Sequence, residues 1–274
     1  MRIARESEMR PERGGEGVDG DELADADVPA TVVCAHCGDA DCPGCLHEQT
    51  QSGVVAVVPW ERPGTSAVMR LWATARATTF DADRFFESLP DGPITPALRF
   101  AIASEMVAAA SMALVGLVPL VVLAPGWLAH LLAHETATAV RLVVAGVPGL
   151  AALLVVAHAA HGWALDHGAK RSGAWGSTRR ALRFGLYAAG WDLVIGPLGL
   201  VVVAFREGVR ASLSIGGIGI GLPGRSARAF LRGCYRLEGP AAAPALRASW
   251  VAAALATSVG AVAVIAAILV AVMT

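Results

Sequence analysis

The stretch FAIASEMVAAASMALVGLVPLVVLA, Phe100–Ala124, decides what kind of protein this is. It runs for 25 residues with a single ionisable group, Glu105. A helix needs about 20 mainly apolar residues to cross about 30 Å of hydrocarbon. Three more stretches meet that demand: Leu142–Leu165, Phe184–Phe205 and Ala248–Met273. A fifth, Ala211–Gly224, is apolar but short and glycine-rich, and its status decides the topology. The whole chain of 274 residues is 55% hydrophobic and 16% charged, whereas soluble domains carry about 25% charged residues. This composition excludes an ordinary soluble enzyme, a fully disordered chain and a secreted disulfide scaffold.

Arginine placement orients the spans. The segment before the first carries Arg62, Arg70, Arg76, Arg84 and Arg99. The loop after the second carries Lys170, Arg171, Arg179, Arg180 and Arg183, and the segment before the last carries Arg225, Arg228, Arg232, Arg236 and Arg247. Basic residues collect on the cytoplasmic side of a membrane protein. With Phe184–Phe205 crossing, all three segments share that side only if residues 211–224 cross as well. The expectation is an all-α integral membrane fold with five transmembrane helices, at about 100–124, 142–165, 184–205, 208–226 and 248–273. The N-terminus is then cytoplasmic and the C-terminus outside. Gly217 and Gly221, spaced G-x-x-x-G, offer a smooth face for close helix contact or an oligomer. Residues 66–89 read as a helix lying on the membrane surface, with Leu71, Trp72, Ala75, Phe85, Phe86 and Leu89 as its apolar contacts. Arg225, Arg228, Arg232 and Arg236 form a stripe on a second such helix. Trp127, Trp163 and Trp250 fall at span ends, where an interfacial aromatic belt belongs.

Ahead of the spans the chain changes character. Residues 1–60 carry a formal charge of −8 and residues 61–274 carry +7. Residues 1–30 hold no aromatic residue and no apolar periodicity, and read as a disordered acidic tail. Residues 31–48 contain Cys34-Ala-His-Cys37 and Cys42-Pro-Gly-Cys45. Two C-x-x-C pairs turn their sulfurs toward one centre, and tetrahedral zinc is the default ion for four thiolates. A four-cysteine knuckle holding one zinc is the leading reading. The four-residue spacer is short for a zinc ribbon, so an iron–sulfur cluster and a plain thiol linker stay open. Residues 49–65 form a linker, and residues 66–274 the membrane domain.

Within the apolar stretches the ionisable groups are Glu105, His158, His161 and Asp192. Such groups are functional candidates by default, and Asp192, between Trp191 and Leu193, is the most suggestive. His158 and His161 share one helix face, His130 and His134 another, and topology keeps the two pairs apart. His134-Glu-Thr-Ala-Thr138 starts like a zinc-protease motif but lacks the second histidine. No nucleophile–base set, phosphate loop or nucleic-acid-binding pattern is present, so no catalytic residue is assigned.

The layout resembles the bacterial branch of the YIP family of Ypt/Rab-interacting membrane proteins, over roughly residues 66–272. The residues that carry the resemblance are Trp72, Phe85-Phe86-x-x-Leu89-Pro90, Ala97-Leu98-Arg99-Phe100-Ala101, Arg183-Phe184-x-x-Tyr187-Ala188 and the Arg-Ala-Phe-Leu-Arg-Gly run at 228–233. The resemblance implies a cytoplasmic N-terminus, a five-helix membrane domain and a bacterial inner-membrane location. Asp192-Leu-Val-Ile-Gly196-Pro197 is similar to an Asp-Leu-Tyr-Gly-Pro motif of eukaryotic members, but it stands inside a span and lacks the tyrosine. The functional expectation is a non-enzymatic membrane scaffold whose knuckle docks a cytoplasmic protein. The alternative is a transporter or channel subunit with Asp192 in a polar pathway.

Overall fold

The structure, a computed structural model, describes residues 58–273. The acidic tail and the four cysteines of the knuckle therefore lie outside the described residues. Among those described, every regular element is helical. A 3-10 turn at Pro59–Glu61 leads into α1 (Ala67–Phe80) and α2 (Ala82–Glu87). Three long helices follow the apolar runs: α3 (Ile94–Leu123), α5 (Thr136–Arg171) and α10 (Ala243–Met273). Between α3 and α5 sits a short helix, α4 (Pro125–His134). Between α5 and α10 lie α6 (Thr178–Ala188), α7 (Gly190–Ile195), α8 (Pro197–Glu207) and α9 (Val209–Phe230). A π turn at Leu231–Tyr235 closes α9.

At 1.5 Å per residue, helices of 30, 36 and 31 residues reach about 45 Å or more, beyond the thickness of the hydrocarbon. Only 17%, 11% and 11% of their most apolar stretches are buried within the chain. From Leu114 to Leu123, α3 is apolar and exposed on every side, and such a surface belongs against lipid. Among the described residues, three helices are long and apolar enough to cross a membrane, or four if a bent pair counts as one.

The bent pair is where the expected third span changes. Residues 184–205 do not form one helix. The chain breaks at Gly196–Pro197 and turns by 60° into α8, because Pro197 has no N–H for a helical bond and begins a new helix at its first turn. After 11 residues α8 ends at Gly208, whose φ of 93° suits glycine, and α9 returns antiparallel to it. Ser212 donates its hydroxyl to Leu200 O across this hairpin. The end of the hairpin lies beside α1, with Arg76 and Glu207 3.6 Å apart. The fourth span expected over 208–226 is not among the membrane-length apolar helices: α9 carries Arg210, Arg225 and Arg228 along with its glycines.

The core sits at one end of the bundle, here called the base. It joins α1, α2, the start of α3, the end of α5, α6, α7, the end of α9 and the start of α10. Phe86 meets Phe184 at 4.8 Å, Phe184 stacks on Phe230 at 4.6 Å, and Phe100 lies 5.3 Å from Tyr187. The expected surface helices are part of this core. Ala75, Phe85, Phe86 and Leu89 are buried against protein, and two arginines of the stripe answer acids of α2. Arg232 makes a two-pronged bond to Glu87, at 3.0 and 2.7 Å, and Arg225 lies 3.3 Å from Asp83. The Arg232 guanidinium holds the Glu87 carboxyl below the usual carboxylate range. An amphipathic pattern reports one apolar face, and here protein rather than lipid covers it. Deeper in the base, fully buried Arg183 donates to Pro93 O at 2.8 Å and pairs with Glu61 at 2.9 Å, and the Tyr187 hydroxyl donates to the same carboxylate.

Two close approaches fix the helix order. A Cβ on Gly162 of α5 would stand 2.2 Å from Ala181 O, and one on Gly185 of α6 would stand 2.1 Å from His158 O. The α5 and α6 backbones therefore touch, as small residues allow in membrane bundles. The α5–α10 pair runs antiparallel, with Gly168 against Ala245 and Gly260 against Leu153. Trp163 and Trp250 consequently share one level and stay half-exposed, the position expected of an aromatic belt. Gly217 and Gly221 face open space, so the contact expected of them is not made within the chain.

Gly185→Val should lower the melting temperature of the detergent-solubilised chain through overpacking, by an amount equivalent to about 1–3 kcal/mol. Gly217→Val, in open space, should shift it by less than about 0.5 kcal/mol. Equal shifts would contradict the backbone contact.

Candidate acid–histidine centre

The Gly162–Gly185 crossing sets His158 of α5 against α7. The α7 helix is held from its other side, where Trp191 Nε1–H donates to Thr78 O at 2.9 Å and Gly190 abuts Thr78 and Ala75. With α7 fixed, Asp192 turns toward α5. His158 Nε2–H donates to Asp192 Oδ2 at 3.0 Å, and Glu105 Oε1 of α3 lies 3.2 Å from the same nitrogen. Three ionisable groups from three helices thus surround one point.

Their exposures differ. The Glu105 side chain is fully buried, His158 is nearly so, and Asp192 retains 32% of its surface. The cluster is closed on the α3 side and open at Asp192. Neither Glu105 oxygen has a hydrogen-bond partner, because the approach of His158 Nε2 is close but misdirected. A buried carboxylate without hydrogen bonds is costly. Its compensation is electrostatic, from the imidazole beside it.

Glu105, His158 and Asp192 were each visible in the sequence as intramembrane ionisable groups, but not as neighbours. The signal was depth. Glu105 lies eleven residues into α3 and His158 thirteen from the end of α5, and the two helices run antiparallel. His161, one turn along α5, does not join them: its Nδ1 faces Ser249 O at 3.4 Å on α10, and its buried Nε2 has no partner. His130 and His134 lie on α4 with their rings 5.0 Å apart, and His130 reaches Glu135 at 3.5 Å. They are exposed and far along the chain from the centre, as the separation of the two pairs required.

A second polar network was missed. Buried Asp166 accepts from the Tyr235 hydroxyl at 2.6 Å, from Lys170 at 2.9 Å and from Thr178 at 2.8 Å. Burial, then this bond to Asp166, raises the Tyr235 phenol above its usual value. With three donors on its carboxylate, Asp166 ties α5, α6 and the π turn together and offers no open ligand.

No family model, curated protein or solved structure matches this chain. The YIP resemblance therefore rests on the quoted sequence motifs alone.

His158→Leu removes the only cation-forming group beside Glu105 in this cluster and should destabilise the solubilised chain by about 3–5 kcal/mol. Adding Glu105→Gln should recover at least about 1 kcal/mol, since the stranded charge is then gone. Strictly additive losses in a thermal-melting double-mutant cycle would show that the two side chains do not interact.

Proposed function

We propose that this chain is a non-enzymatic integral membrane scaffold of the YIP type. Its helical base lies on the cytoplasmic face of a bacterial inner membrane and presents residues 1–57, with Cys34, Cys37, Cys42 and Cys45 holding one zinc, to a cytoplasmic protein. The observation that carries this reading is the segregation of polar chemistry. Apart from the exposed His130–Glu135 pair by α4, the described charged networks lie in the base or at its edge, while residues 106–129 and 142–157 contain no ionisable group. The shafts therefore hold the protein in the bilayer and offer no ionisable relay across it.

In this reading α3, α5 and α10 cross the membrane and α6–α9 enter and return on the same side. Support comes from Glu207 beside Arg76. Further support comes from charge: every basic residue after residue 60 except Arg141 then lies on the cytoplasmic side, as the positive-inside rule asks. A five-span arrangement also leaves the C-terminus outside, but sends the Glu207–Arg210 turn outside with it. The open faces of Gly217 and Gly221 remain available for a second copy.

A small metal knuckle has little core, and its use is to hold a few exposed groups rigid for a partner. Tethering it at the membrane raises the local concentration of whatever it captures. The transport reading has its own support, the convergence of Glu105 and His158 on Asp192.

Affinity purification of the full chain from membranes tests the choice. The wild-type chain should carry a cytoplasmic protein and about one zinc at its cysteines. Cys34→Ser/Cys37→Ser should lose both while inserting normally. Retention of every partner by that variant, together with loss of a solute flux in Asp192→Asn, would replace scaffolding with transport.

A further inference from the structure

We infer that Glu105, His158 and Asp192 form a binding site for a divalent first-row transition-metal ion. The site is independent of the N-terminal cysteines and of the scaffold reading. Three observations converge on it. The first is spacing. Ligands about 2.1 Å from one ion stand about 3.4 Å apart at a tetrahedral edge and about 3.0 Å apart at an octahedral one. His158 Nε2 lies 3.0 Å from Asp192 Oδ2 and 3.2 Å from Glu105 Oε1, and one atom of each group lies within 4.8 Å of the others.

The second is the buried Glu105 carboxylate. Its Oε1 lies 3.2 Å from His158 Nε2, neither of its oxygens has a hydrogen-bond partner, and a metal ion would satisfy those lone pairs. The third is charge. Two carboxylates and a neutral imidazole carry −2, which a divalent ion cancels in a low-dielectric setting. One nitrogen and two carboxylate oxygens suit manganese, iron or zinc better than a soft ion such as copper(I). On binding, His158 Nε2 gives up its proton and coordinates through the freed lone pair. The proton and any displaced water leave past Asp192, the exposed member of the set. Water from the same side fills the remaining coordination positions, so this side controls access.

The site also explains its construction. Each ligand comes from a different helix, and an ion held among them clamps α3, α5 and α7 together. Removing it loosens the attachment of α7, and with α7 the bend at Gly196–Pro197.

The test uses the full chain in detergent micelles, purified without a polyhistidine tag, with Cys34, Cys37, Cys42 and Cys45 replaced by serine. Equilibrium dialysis against zinc or manganese alone should give about one bound ion per chain, and saturation should raise the melting temperature. Asp192→Asn and His158→Gln should each weaken binding at least tenfold and remove the metal-dependent rise, while eluting as the parent does. His130→Asn/His134→Asn should bind as the parent. No bound ion in the parent, or binding unchanged in Asp192→Asn, would overturn the site and leave a salt-bridged triad. The parent measurement decides even if a variant fails to fold.

Discussion

Where α5 crosses α6, Gly162 and Gly185 bring two backbones into direct contact, and much of the base follows from that approach. Any side chain at either position would push α6 outward. Arg183, two residues before Gly185, would then lose its reach to Glu61 and Pro93 O. The α7 helix would carry Asp192 away from His158, whose carbonyl is the atom that Gly185 approaches. The aromatic cluster around Phe184 depends on the same spacing. In lipid no hydrophobic force drives helices together, so close packing of small residues and a few polar contacts must do it. This chain uses both at one crossing.

A second constraint acts over the whole molecule. Apolar surface on the shafts of α3, α5 and α10 is stable only in hydrocarbon, and arginine is stable only outside it. The described structure satisfies both by gathering most of its charged groups at one end, with Glu135 and Arg141 near α4 at the other. The α8–α9 hairpin fits this division when it turns back beside α1 instead of continuing to the level of α4. Asp192 and its partners lie just where the base gives way to the shafts, shielded by Trp191 on one side. This is a suitable depth for a polar centre that water reaches from one face only.

The long helices were legible because a run of 20 apolar residues has few other readings. The broken third span was legible in principle, since Gly196-Pro197 stands in its middle, but hydropathy averages over such a pair. The role of α1 and α2 was not legible. Periodicity locates an apolar face and cannot say whether lipid or protein will cover it, and here Phe184 covers Phe86. The centre was legible only in parts. Glu105, His158 and Asp192 are separated by 53 and 34 residues, and their meeting depends on helix depth and rotation, which the crossing at Gly162 sets. Asp166 escaped notice because its partner Tyr235 lies 69 residues away, in the π turn.

Whether the base, including the end of the α8–α9 hairpin, lies on one side of the bilayer is read by labelling single cysteines with a membrane-impermeant maleimide in intact cells and in inside-out vesicles. The chain would have its native cysteines replaced by serine, and Trp175→Cys, Glu207→Cys and His130→Cys would each be introduced alone. Positions 175 and 207 should label together in the inside-out vesicles, and position 130 only in intact cells. Labelling of 207 together with 130 would contradict the account and restore a chain that crosses five times.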